Sequence, residues 1–132
     1  MVANGSCTPE EDFFLERFHP DGSLDLDFGD QGMVSTDWGG AEYPSSVVLQ
    51  PNGKIVAVGS VTIHGSGFSI VMARYNPDGS LDPTFGYNGQ VLTDITYEDY
   101  AEAVAVQEDG KIVLAGSVFN DTMTNLAVVR YK

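Results

Sequence analysis

Apolar residues in this chain come in runs of about four to eight, separated by clusters of Gly, Pro, Asn and Asp, and no segment sustains a 3.6-residue apolar stripe. The pattern predicts an all-β chain. Expected strands in the second half are 69–75, 90–94, 102–107 and 111–117, and their counterparts in the first half are 13–18, 33–37, 46–50 and 54–60. The runs Ala103-Val104-Ala105-Val106 and Ile112-Val113-Leu114-Ala115 are apolar at both alternating positions, which signals burial on both faces. A two-sheet sandwich would leave one polar face per strand. The pattern therefore predicts sheets stacked face to face in series, as propeller blades are.

The expected strands recur because the sequence does. Arg17 to Val61 returns as Arg74 to Val118 at a constant spacing of 57 residues, and a third copy opens at Asn125-Leu126-Ala127-Val128-Val129-Arg130-Tyr131. Repeats of this length are units that cannot bury their own apolar face and must stack on neighbours. The expected organisation is a flexible leader at 1–12, a first four-stranded antiparallel blade at 13–68, and a second at 69–132 with one extra strand. Pro51-Asn52-Gly53 and Glu108-Asp109-Gly110 read as tight hairpin turns. Pro20-Asp21-Gly22-Ser23 and Pro77-Asp78-Gly79-Ser80 read as β-turns. Two blades cannot close a ring, and their outer faces would expose apolar sheet. The expected partners are further repeats of a longer chain, or copies in a homo-oligomer.

Charge narrows the partners further. Six basic residues against 19 acidic ones give a net charge of -13, which disfavours nucleic acid and anionic lipid. No apolar run is long enough for membrane insertion, and no signal peptide is visible at the N-terminus. The single Cys7 excludes an internal disulfide.

Candidate chemistry is sparse. Asp21, Asp25, Asp27 and Asp30 place oxygens on near-alternate residues, as calcium loops do. The matched residues Asp78, Asp82, Thr84 and Tyr87 weaken that pattern, and turn capping is the plainer reading of it. Calcium is the one cofactor the residues suggest. The basic residues fall in repeat-equivalent series, Arg17, Arg74 and Arg130, and Lys54 and Lys111, which points to an architectural role through carboxylates such as Asp25 or Asp82. His19 and His64 read as exposed and unliganded. No Walker loop, dinucleotide glycine pattern or nucleophile elbow is present, so the expectation is a protein that is not an enzyme. The least repetitive stretches, 38–43, 95–100, 62–68 and 119–124, read as loops. In them Trp38, Tyr43, Tyr97 and Tyr100 form a candidate glycan-stacking or protein-docking surface.

The string Asn76-Pro77-Asp78-Gly79-Ser80-Leu81-Asp82, then Phe85-Gly86, Gly89, Val91 and Thr93-Asp94, then Gly110-Lys111-Ile112-Val113 and Arg130-Tyr131, resembles the delta-60 repeat family. The first copy departs from it at Leu26-Asp27 and at Pro44, where the second copy has Ala101. The resemblance implies β-propeller-like arrays in exported bacterial proteins. It also implies an extracellular or cell-surface, non-catalytic setting. The expected function is a structural or interaction module, with a carbohydrate-binding or calcium-assisted adhesion module as the alternative.

Overall fold

A computed structural model describes residues 12–63 and 67–132, together with the backbone of Val2 and Ala3. Among the described residues ten strands succeed one another: β1 (Val2–Ala3), β2 (Phe13–Arg17), β3 (Met33–Thr36), β4 (Ala41–Leu49), β5 (Ile55–Thr62), β6 (Ser69–Tyr75), β7 (Gln90–Thr93), β8 (Glu98–Val106), β9 (Ile112–Asn120) and β10 (Met123–Tyr131). They make three sheets, ordered β1-β2-β3, β4-β5-β6-β7 and β8-β9-β10, with every pair of neighbouring strands antiparallel. No helix occurs among the described residues, and the chain is all-β.

Turn chemistry sets these neighbours. In the β4–β5 hairpin the Gln50 amide donates to the Lys54 carbonyl at 2.8 Å and Gly53 donates to Gln50 at 2.9 Å; Gln107, Lys111 and Gly110 repeat both bonds between β8 and β9. The Asn52 and Asp109 side chains cap the amides of Lys54 and Lys111. Gly29 and Gly86 have φ of 57° and 52°, and a Cβ at either would lie 2.2 Å from a carbonyl of the next strand. The Phe-Gly-x-x-Gly bend therefore requires glycine at that place.

Sheets and sequence repeats are out of phase. The central sheet takes β4 and β5 from residues 13–68 and β6 and β7 from residues 69–132. The repeat boundary is only where similarity starts, whereas sheet membership follows hydrogen-bonded neighbours, and β5 pairs with β6 across it. Of the leader expected at 1–12, Val2 and Ala3 pair with Arg17 and Glu16. Its remaining residues to position 11, Cys7 among them, lie outside the described ones, as does His64.

Two strands run longer than their apolar patterns. β4 begins at Ala41 and absorbs Pro44, because the register shifts between Pro44 and Ser46; β8 shifts equivalently between Ala101 and Ala103. The bulge leaves Ser45 outside the ladder, while Pro44 faces Gly59 on an edge strand beside the shift, where a residue with no N–H is tolerated. Gly59 and Gly116 let the bulged backbone approach, since a Cβ there would stand 2.4 and 1.9 Å from the carbonyls of Tyr43 and Tyr100. The stretch 119–124, expected as a loop, is the end of a hairpin in which Asn120 pairs with Met123 and Phe119 with Thr124.

Burial follows the stacking. One core layer joins Phe13, Leu15 and Phe28 to Ile55, Ala57, Ala73 and Tyr75. The other joins Val56, Val58, Ile70, Met72 and Phe85 to Ala101, Ile112 and Leu114. Successive residues of β5 enter opposite layers, so β5 is buried on both faces from Ile55 to Val61. Each fully buried aliphatic side chain contributes roughly 1.5–3 kcal/mol.

Candidate functional site

The first two Arg-aromatic strand ends are each tied to the turn that follows. Arg17 Nε donates to Asp25 at 2.7 Å and its guanidinium lies 4.7 Å over the Phe28 ring. Arg74 Nε donates to Asp82 at 2.7 Å and lies 4.4 Å over Phe85. Arginine suits this place because a planar cation can bind a carboxylate at its edge and a ring at its face. Arg17 also donates to the Pro77 carbonyl, and the Gly29 amide donates to Asp78 at 2.8 Å, so the turns of the two repeats are joined.

Asp82 is the strongest of these ties. Lys54 reaches it at 2.6 Å across the repeat boundary, and Asp82 is buried. The Lys54 hydrogen bond, helped by Thr84 and Arg74 and opposed by burial, holds its carboxyl well below the usual carboxylate range. Lys111, the repeat counterpart of Lys54, instead turns back to Asp109, and Arg130 is exposed at the end of β10. A second repeated joint runs between sheets. The Tyr75 and Thr36 hydroxyls lie 2.6 Å apart and those of Tyr131 and Thr93 2.7 Å apart, and burial pushes the Tyr75 phenol up to about 12.

The Asp21, Asp25, Asp27 and Asp30 series does not converge on one point. Asp21 accepts the Ser23 amide and hydroxyl at 2.9 and 2.6 Å, which caps its own turn. Those bonds lower its pKa. Asp25 faces Arg17, with His19 at 3.7 Å. Asp27 and Asp30 line an open groove of about 540 Å³ with Gly79 and Ser80. Among the described residues, the carboxylates within ligating range of one another are other ones. Sequence spacing overstated this series because the chain doubles back at Asp25, whose backbone amide donates to Arg17.

The four candidate aromatics separate. Trp38 is half-buried and packs edge-on against Phe13 at 5.3 Å, within the first core layer. Tyr97 is exposed. Tyr43 and Tyr100 are brought together by Phe68, whose ring lies 5.7 Å from Tyr43 and 4.8 Å from Tyr100. Phe68 was missed because it follows a Gly/Ser-rich stretch with no strand pattern. It is placed by backbone bonds, donating to the Tyr97 carbonyl at 3.1 Å and accepting from Asp99 at 2.8 Å. The result is an aromatic strip, Tyr43–Phe68–Tyr100, crossing from the central sheet to the third. Burial and then the Glu98 charge raise the Tyr100 pKa.

The third sheet has one open face. On β9 the side chains of Ile112, Leu114 and Val118 are buried while Val113, Ala115 and Ser117 are only partly covered. On β10, Leu126 and Val128 are 81% and 64% exposed. Their repeat counterparts Ile70 and Met72 are fully buried, because the third sheet lies over them. No curated protein matches the chain. Residues 50–85 and 107–132 match a family model described as a domain of unknown function (DUF5122) beta-propeller, a description that does not carry the delta-60 name. Both matched segments start at a β-hairpin turn, at Gln50 and Gln107, and run through the equivalent strand pairs β5–β6 and β9–β10. With three antiparallel sheets in series, they make this an all-β chain of β-propeller type.

Proposed function

We propose that the chain is a non-catalytic structural or interaction module whose blades assemble with further blades, in a longer chain or in copies of itself. The observation that carries this reading is the open face of β8–β10. Val113, Ala115, Leu126 and Val128 hold the repeat positions of Val56, Val58, Ile70 and Met72, which are all fully buried. A surface built to the pattern of an internal one favours the same kind of cover, and apolar burial supplies the drive. An extracellular or cell-surface setting belongs to the same reading and is supported by the family resemblance.

Mass in solution tests it. Light scattering at micromolar concentration is expected to give discrete multiples of the chain mass, and the double variant Leu126→Lys, Val128→Lys is expected to return the monomer with its fold intact. A monodisperse wild-type monomer across the accessible concentration range would count against assembly with copies of itself.

A further inference from the structure

Three carboxylates from separate segments meet where the first sheet joins the second. Asp12 precedes β2, Asp37 follows β3 and Glu42 lies in β4; each brings an oxygen within 4.8 Å of the others. All three are already oriented by the chain. The Ser35 hydroxyl donates to Asp12 Oδ2 at 3.1 Å, and the Gly39 amide to Asp37 Oδ1 at 2.5 Å. The Trp38 and Gly40 amides donate to Glu42 Oε1 at 3.1 and 3.2 Å. Glu42 is 0% exposed, yet its Oε2 has no hydrogen-bond partner. A buried carboxylate oxygen left alone among other carboxylates calls for a positive occupant, since like charges so close cannot all ionise unaided.

The second repeat provides an internal control. Its counterparts are Ser69, Asp94 and Asp99. Asp99 is equally buried, but both of its oxygens are occupied. Ile95 N donates to Oδ2 at 2.5 Å, Thr96 N to both oxygens at 3.0 Å, and the Thr96 hydroxyl to Oδ1 at 2.6 Å. In the first repeat Gly39 stands in place of Thr96 and Asp12 in place of Ser69. One hydroxyl donor has gone and one carboxylate has arrived at the same joint.

We propose that Asp12, Asp37 and Glu42 form a calcium site that clamps the β1–β3 sheet to the β4–β7 sheet. The ligand set is all oxygen and all anionic, which suits a hard cation. Calcium accepts six to eight oxygens in flexible geometry, whereas magnesium demands a near-ideal octahedron and gives up its water reluctantly. Three carboxylates already held by separate strands fit the more tolerant ion. A cleft of about 240 Å³ lined by Asp12, Asp37, Gly39 and Gly40 admits the water that completes its coordination.

Calorimetric titration of the chelator-stripped chain with calcium chloride at constant ionic strength tests the site, alongside thermal unfolding. Saturable binding of one ion per chain is expected, with the midpoint raised by about 10 °C at 100 times Kd. Asp37→Asn and Asp12→Asn are expected to weaken binding at least about tenfold, whereas Asp94→Asn leaves it unchanged. Both altered ligands lie outside the fully buried core, so the variants remain folded. Magnesium is expected to bind more weakly. Two results would overturn the proposal: no saturable heat up to about 10 mM calcium, above the weakest extracellular sites, or equal binding by wild type, Asp12→Asn and Asp37→Asn. The second result would mean diffuse attraction to the net charge of -13.

Discussion

The central and third sheets carry nearly the same strand sequences in different surroundings. Ile55-Val56-Ala57-Val58-Gly59-Ser60 in β5 is buried at every position, whereas Ile112-Val113-Leu114-Ala115-Gly116-Ser117 in β9 alternates between buried and half-covered. The comparison shows that apolar content on both faces of a strand specifies a demand for neighbours, and that the neighbours determine how much of the demand is met. The same holds for the two Arg-aromatic strands, β6 being closed in and β10 open along one face.

Truncation on the two faces gives the largest contrast. Met72→Ala removes a fully buried side chain and is expected to cost about 2–5 kcal/mol in urea unfolding. Val128→Ala, at the repeat-equivalent exposed position, is expected to cost under about 0.5 kcal/mol in a monomer. A Val128 cost that climbs toward the Met72 value as protein concentration rises would place a cover on that face.

The carboxylates of the two turns sharpen the same comparison. Asp82→Asn leaves Lys54 and Arg74 without their shared buried counter-charge and is expected to cost about 3 kcal/mol. Asp25→Asn, which loses the partly exposed Arg17 pair, is expected to cost under about 1 kcal/mol. The Asp82 pKa is depressed in the fold. Its contribution is therefore complete above the unfolded carboxylate pKa of about 4 and is lost as pH falls below that. Denaturation midpoints measured from pH 6 downward should fall less steeply in Asp82→Asn than in wild type.

Glu42 and Asp99 have opposite expected signs. Asp99→Ala removes the acceptor for the Ile95 and Thr96 amides and is expected to cost about 1–2 kcal/mol. Glu42 has a raised pKa, so in chelator the folded state binds the extra proton and stability falls as pH rises through that pKa. Glu42→Gln should raise the unfolding midpoint at neutral pH in chelator and abolish that pH dependence. A lowered midpoint would show that the ionised carboxylate is already compensated. At the tyrosine joints Tyr75→Phe is expected to cost about 1 kcal/mol. Tyr131→Phe, at a less buried hydroxyl pair, should cost less by the same denaturation measurement.

Much of the fold was legible in the chain. The 57-residue spacing, the Asn-Gly and Asp-Gly turns and the two-sided apolar runs are local, and local chemistry is what a sequence displays directly. The leader was less transparent. Met1-Val2-Ala3-Asn4-Gly5-Ser6 echoes Ile55-Val56-Ala57-Val58-Gly59-Ser60, a signal that the polar surroundings obscured, and Val2 and Ala3 take the same place beside β2 that Val56 and Ala57 take beside β6. The aromatic and acidic groupings were illegible. Tyr43, Phe68 and Tyr100 meet across sheets, and Asp12 and Asp37 are separated by a whole strand pair.

Periodicity and turn residues by themselves determined that this chain is a β-repeat whose sheets must be stacked, because backbone geometry and side-chain alternation act over a few residues. Only the tertiary structure decided which strands share a sheet, that Trp38 faces the core, and that Asp12, Asp37 and Glu42 converge while the Asp21 to Asp30 series does not. Those outcomes depend on which distant segments the packing of whole sheets brings within a few ångströms, a relation that spacing along one chain does not encode.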